Sequence, residues 1–179
     1  MGKIYRFKDA IPSIGEGVYL ADGVKLIGDV ELEDNVSIWF NSVVRGDVSQ
    51  IKIGKNTNIQ DLCMLHVIEE MPLIIGLNVS VGHSVTLHAC TVGKGSLIGM
   101  NSCLLDGCEI GENSLVAAGS LVPPRKKYPS HVLIRGNPAK VIRELTEEEI
   151  HQYSNHYKSY VDYKNQFLDE SVFSSVKKT

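Results

Sequence analysis

Aliphatic residues recur at every sixth position along most of the chain. The series runs Ile14, Leu20, Leu26, Leu32, Ile38, Val44, resumes after a short insertion at Ile53, Ile59, Leu65, and resumes after a longer one at Ile75, Val81, Leu87. One step is a residue short, and Val92, Ile98, Leu104, Ile110, Val116 and Val122 complete it. Four positions after most of these stands a small or β-branched residue, among them Val24, Val30, Val36, Cys63, Val79, Val85, Ser102, Ser114 and Ser120. The position directly after is often glycine, as at Gly15, Gly54, Gly76, Gly82, Gly93, Gly99 and Gly111. A helix repeats every 3.6 residues and a half-buried strand every 2, so neither holds a period of six. A short strand plus a tight corner does, with glycine tolerating unusual backbone angles at the corner. Three such faces make an 18-residue coil, and coils stack at the strand spacing of about 4.8 Å. The small fourth-position residues fit a narrow prism interior. A β-sandwich has no reason to keep this register, and the pattern predicts about six coils.

This pattern resembles the hexapeptide-repeat family, which implies a mainly β fold: a left-handed parallel β-helix, usually assembled as trimers. The left hand comes from that resemblance, because the general crossover rule favours the right. The repeat stops at Pro123-Pro124, and Gly136-Asn137-Pro138-Ala139-Lys140 resembles the segment that closes such coils. A C-terminal α-helix follows. Thr146 and Glu149 have the spacing of a capping box, with Leu145 and Ile150 placed as a hydrophobic staple. Ile150, Tyr153, Tyr157, Tyr160, Val161 and Leu168 fall near one helical face. The expected organisation is a β-helix domain with its closing segment over 1–142, an amphipathic helix over 143–170, and a frayed tail over 171–179.

Composition narrows the function classes. With 18 basic against 21 acidic residues and a net charge of −3, no basic excess supports nucleic acid as a partner. No apolar run approaches the roughly 18–20 residues of a membrane span. The first residues, Met1-Gly2-Lys3-Ile4-Tyr5-Arg6-Phe7, lack the apolar core of a signal peptide, so a cytoplasmic location is expected. Cys63, Cys90, Cys103 and Cys108 form no C-x-x-C pair, which fits a reducing compartment. Only 7% of residues are aromatic while 16 are glycine, so the core is built from small and aliphatic groups.

Three of the six histidines lie close together in sequence: His66, His83 and His88. His66 follows Leu65 and His88 follows Leu87, so both occupy the second position of the third repeat on consecutive coils. They stack about 4.8 Å apart on one face, close enough to share a cation through bonds of about 2.0–2.1 Å. His83 is the third residue of a second repeat and belongs to another face. In a threefold assembly the second face of one subunit can meet the third face of its neighbour. The register therefore predicts a metal site shared between chains, with a fourth position open for water as in catalytic zinc centres. Arg45, following Val44, stacks in line below His66, with Asp47 two residues on. Gln60 lies on the second face one coil below Gly82, beside the slot that His83 uses. Glu69-Glu70 sit in the longer insertion just after His66, where a carboxylate can relay protons or simply be solvated. His131, His151 and His156 lie outside the register and carry no assignment, and Tyr128 has no place in it.

Arg45, Asp47, Gln60, His66, His83 and His88 reproduce the order and spacing of the gamma-class carbonic anhydrases, a resemblance covering about residues 10–142. It implies that the three histidines bind Zn²⁺, or Fe²⁺ or Co²⁺, at the interface of a homotrimer. It implies further that Arg45 and Asp47 form an interface ion pair, that Gln60 orients a metal-bound hydroxide, that Asn58 supports Gln60, and that Glu69 shuttles protons. The implied reaction is the reversible hydration of CO₂ to bicarbonate. The chain departs from the archetype at Val48-Ser49-Gln50, which runs straight into the next coil where an extra acidic loop would stand. Three other functions fit parts of the pattern. A hexapeptide-repeat acyltransferase would use one interface histidine as base, an acyl-CoA thioesterase would turn the same centre on a thioester, and a non-catalytic metal-binding assembly protein would keep fold and metal alone.

Overall fold

The structure is a computed structural model and describes residues 2–175. It is a left-handed parallel β-helix of three faces followed by two short helices. The first face stacks the strands around Ile14, Leu32, Ile53, Ile75, Val92, Ile110 and Tyr128. The second stacks those around Leu20, Ile38, Ile59, Val81, Ile98, Val116 and Ile134, and the third those around Ile4, Leu26, Val44, Leu65, Leu87, Leu104 and Val122. Each face is one rung taller than the hexads alone supply, because Ile4, Tyr128 and Ile134 add end strands that the aliphatic series omits. Tyr128 is buried on the first face, and its hydroxyl donates to the Ala139 carbonyl at 2.8 Å. Lys25–Leu32 and Val43–Ile53 run unbroken around the corner from third face to first, joining the two into one sheet.

The interior is the hexad aliphatic row plus the small fourth-position row. Leu26, Val44, Ile59, Leu65, Val81, Leu87, Ile98 and Val116 are fully buried, as are Val24, Val36, Val79 and Val85. Each such side chain contributes about 1.5–3 kcal/mol relative to exposure. The interior hydroxyls tie coils together. Ser42 Oγ donates to the Gln60 carbonyl at 2.7 Å and accepts from the Cys63 N–H at 3.0 Å, and Thr57 and Ser96 repeat the arrangement. Among the described residues no buried side-chain N or O lacks a partner. All four cysteines are free, and burial pushes the Cys63 thiol up to about 12, which removes it as a nucleophile.

Corner glycines serve a different purpose from the one their sequence position suggests. Gly82, Gly93, Gly99 and Gly111 have ordinary backbone angles, but a Cβ there would come within 2.8, 2.6, 2.5 and 2.4 Å of a backbone nitrogen on the next coil. They permit close stacking. The left-handed positions are shared by other glycines, such as Gly17, Gly95 and Gly107, and by asparagines such as Asn35, Asn56, Asn78 and Asn113, whose short polar side chain tolerates that region.

The coil ends in a strand, Ala139–Glu144, that runs antiparallel to Val132–Gly136. Thr146 and Glu149 form the expected capping box at the start of α1 (Glu147–Ser154). The helical segment then breaks at Asn155-His156, and α2 (Tyr157–Leu168) packs on the second face over Ser37–Ile38 and Asn58–Ile59. The buried stripe of α2 is Tyr160, Lys164 and Phe167, while Leu168, expected inward, is 45% exposed. Tyr160 and Phe167 stack on Trp39 at 5.5 and 5.0 Å, and Phe173 stacks on Phe167 at 4.6 Å. Of the expected tail, residues 176–179 lie outside the described residues. No helix among the described residues is long and apolar enough to cross a membrane.

Candidate metal centre

Arg45, His66 and His88 occupy one register position on three consecutive strands of the third face. His66 Nδ1 and His88 Nε2 face each other at 3.0 Å. The other nitrogen of each ring is held by a carboxylate. His66 Nε2 stands 3.0 Å from Asp47 Oδ1, and His88 Nδ1 bonds the Asp106 carboxylate. The other Asp47 oxygen pairs with Arg45. Burial works to raise the Asp47 pKa, but the hydrogen bonds from His66 and Arg45 outweigh it and hold the carboxyl below its ordinary value.

This arrangement fixes tautomers. An ionised carboxylate only accepts, so in the neutral rings His66 Nε2–H donates to Asp47 and His88 Nδ1–H donates to Asp106. The two remaining nitrogens are then both lone pairs, aimed at one another. A cation between them converts repulsion into attraction, and two nitrogens 3.0 Å apart can both lie about 2.0–2.1 Å from one ion. Carboxylate-backed imidazoles are the common form of histidine metal ligands. The donor set therefore fits a divalent transition metal.

His83 stands apart from the pair. It follows Ser80–Val81 on the second face, with Nδ1 2.7 Å from Asp61 Oδ2 and the side chain 40% exposed. Among the described residues no three His, Cys, Asp or Glu side chains of one chain converge as a metal-binding group. Gln60 is also on the second face, 4% exposed, and its Nε2 donates to Asn58 Oδ1 at 3.2 Å. Glu69 is exposed in the loop after Met64–His66, where it shares a cleft of about 410 Å³ with Asp29, Asp47 and Ser49. The chain thus gathers Arg45, Asp47, His66 and His88 at one corner, with Glu69 alongside, and presents Asn58, Gln60 and His83 at another.

Asp61 and Asp106 are missing from the sequence reading, yet the period carries both. Asp61 is the third residue of the repeat starting at Ile59, the position His83 holds one coil later. Asp106 is the third residue of the repeat starting at Leu104, one coil beyond His88. Acidic residues placed one coil from each histidine were the signal.

Comparison with known proteins bears on the fold and the family. A family model for bacterial transferase hexapeptides (six repeats) matches residues 12–46 and 89–124. A carbonic anhydrase of Geobacillus kaustophilus is 48% identical over 159 residues, covering 89% of this chain and 87% of that protein. The mitochondrial gamma carbonic anhydrase 2 of Arabidopsis thaliana is 42% identical over 160 residues, which is 86% of this chain but only 58% of that relative's length. A Bacillus cereus protein, solved under an acetyltransferase name, superposes with a TM-score of 0.90 at 46% identity over 92% of this chain and 95% of its own. The chain belongs to the gamma-class carbonic anhydrase-like proteins, a lyase class within the hexapeptide-repeat proteins.

Proposed function

We propose that the chain forms a homotrimer whose interfaces each hold one divalent metal ion, zinc by ligand type with iron or cobalt as substitutes, and that it catalyses the reversible hydration of CO₂ in the cytoplasm. His66 and His88 of one protomer and His83 of the partner subunit are the ligands. The observation that carries this reading is the facing ring nitrogens of His66 and His88, each ring backed by a carboxylate, with no third ligand from their own chain among the described residues. His83, likewise backed by Asp61, has its Nε2 free for a neighbour. The β-helix carries the chemistry, and α2 braces its second face.

When bound, the ion supplies Lewis acidity that makes a water nucleophilic at about neutral pH. The chain's own groups do the rest. Asp47, Asp61 and Asp106 hold the three rings in the ligating tautomer. Arg45 keeps Asp47 ionised and in place. Gln60, set by Asn58, offers a hydrogen bond to an oxygen of the reacting water or CO₂. The hydration yields bicarbonate and one proton, and Glu69 accepts that proton in its open cleft and passes it to solvent.

The test is stopped-flow CO₂ hydration on protein purified without oxygen, with metal assayed on the same sample. Activity that scales with metal is expected. Full metal occupancy without hydration above buffer overturns the hydratase. Acetyl-CoA turnover that survives metal removal would instead support the transferase named for the Bacillus cereus structure. Sharing of ligands is tested by complementation: His83→Ala and His66→Ala variants each lose metal without unfolding, and refolding them together restores part of it. A His83→Ala variant with full metal overturns the shared site.

A further inference from the structure

Gln60 is linked to the C-terminal helices by a continuous polar chain. Its Nε2 donates to Asn58 Oδ1 at 3.2 Å. Asn58 Nδ2 donates to Ser80 Oγ at 2.8 Å and to the Val79 carbonyl at 3.4 Å. Ser80 Oγ lies 3.2 Å from His156 Nδ1. Asn58 and Ser80 pair in register on adjacent strands of the second face, and both are essentially buried. His156 is delivered by the break between α1 and α2. Together with Gln60, Ser80, Gly82, Met100 and Tyr160 it lines a cleft of about 420 Å³.

The chain has a direction. Ser80 Oγ accepts the Asn58 proton and has a single proton of its own, which goes to His156 Nδ1 when that nitrogen is unprotonated. Packing against the cleft lowers the His156 pKa by desolvation, which favours the neutral ring, and in its Nε2–H tautomer Nδ1 is the acceptor. Ser80 turned to His156 and, at longer range, the Val79 carbonyl together hold the Asn58 amino group on that side and its oxygen towards Gln60. The Gln60 amino group is thereby fixed towards Asn58. Tyr160 and Phe167 anchor α2 on Trp39, and the His156 ring lies 5.7 Å from Tyr160.

We propose that His156 is a positioning residue, which through Ser80 and Asn58 sets the orientation of the Gln60 carboxamide at the edge of the metal centre. The proposal rests on Gln60 belonging to the active site, as argued above. Three full-length variants test it. His156→Ala removes the acceptor, His156→Asn restores an acceptor oxygen near the Nδ1 position, and Ser80→Ala cuts the chain one link earlier. With metal content unchanged, His156→Ala and Ser80→Ala are each expected to lower kcat for CO₂ hydration about tenfold with little change in KM. His156→Asn should recover most of that loss, and the double variant His156→Ala/Ser80→Ala should be no worse than either single.

Wild-type kcat in His156→Ala, or an Asn variant no better than the Ala variant, overturns the proposal. The Gln60 side-chain amide signals, identified as those lost in Gln60→Glu, give a second readout that needs no turnover. They should shift in His156→Ala and return in His156→Asn, and unmoved signals overturn the relay. If the wild-type protein holds metal yet does not hydrate CO₂, the hydratase reading fails alone and these signals still decide the role of His156.

Discussion

The middle coils and the outer coils share one scaffold and differ at two positions. On the third face, the residue after the hexad aliphatic is Ile27, Arg45, His66, His88, Leu105 and Pro123 in successive coils. On the second face, the residue two beyond it is Asp22, Phe40, Asp61, His83, Met100 and Ala118. Charged and ligating groups fill the middle of the third-face row with apolar ones at its ends, and on the second face Asp61 and His83 stand between Phe40 and Met100. Backbone conformation follows the same division. The next position on the second face is left-handed in the first six coils, but it is Gly23, Asn41, Asn101 and Gly119 outside and Leu62 and Ser84 beside Asp61 and His83. A residue of that kind costs about 1–2 kcal/mol in the left-handed region. The scaffold tolerates this because each coil is held by ladders above and below, so chemistry is concentrated where neighbouring coils can support it.

Breaking the middle row has the largest expected effect. His66→Ala removes one of the two facing nitrogens, and metal content and CO₂ hydration should fall more than about a hundredfold, beyond the range for outer carboxylates, while circular dichroism stays that of the coil. Asp106→Asn sharpens the comparison. It leaves His88 in place but exchanges the carboxylate for an amide, so metal affinity measured by chelator competition should fall about 10–100-fold. In the outer coils the currency is stability. Ile98→Ala should cost about 2–5 kcal/mol in chemical denaturation, and Leu87→Ala, one coil earlier and beside His88, should cost a similar amount. Equal costs mean a uniform scaffold, and a much smaller cost at Leu87 would mean that the histidine coils are already loosened.

The smallest effect lies outside the coil. The Arg143 guanidinium and the Thr146 N–H draw the Glu149 pKa down from 4.5 to about 2. A depressed carboxyl stabilises the cap fully above its unfolded value and progressively less as pH falls from there through about 2. Backbone amide shifts of Thr146 and Glu149 should therefore titrate in that acid window, and Glu149→Gln should abolish the transition.

Most of the fold was legible because a period of six admits few structures, and the in-line stacking of Arg45, His66 and His88 follows from it directly. The end rungs were not, since Ile4 and Tyr128 stand outside any aliphatic series and are fixed by contact with coils already formed. The glycine corners were located but misread, because close approach between coils is a tertiary fact that composition at one position does not reveal. Asp61 and Asp106 were within reach of the register. The contact between His156 and Ser80 was not, because it joins residues 76 apart across a helix break that no hexad predicts.

The antiparallel strand Ala139–Glu144 has a consequence for the molecule in crowded solution. A stack of parallel coils ends in an open row of backbone donors and acceptors, and an identical stack could add to it and grow into a filament. The reversed strand occupies that edge on the second face with the wrong polarity for another coil, and exposes Lys140, Arg143 and Glu144 beyond it. Reversed polarity and surface charge are both known guards against edge-to-edge growth. A short hairpin thus closes the second face of a self-templating architecture against a further parallel coil.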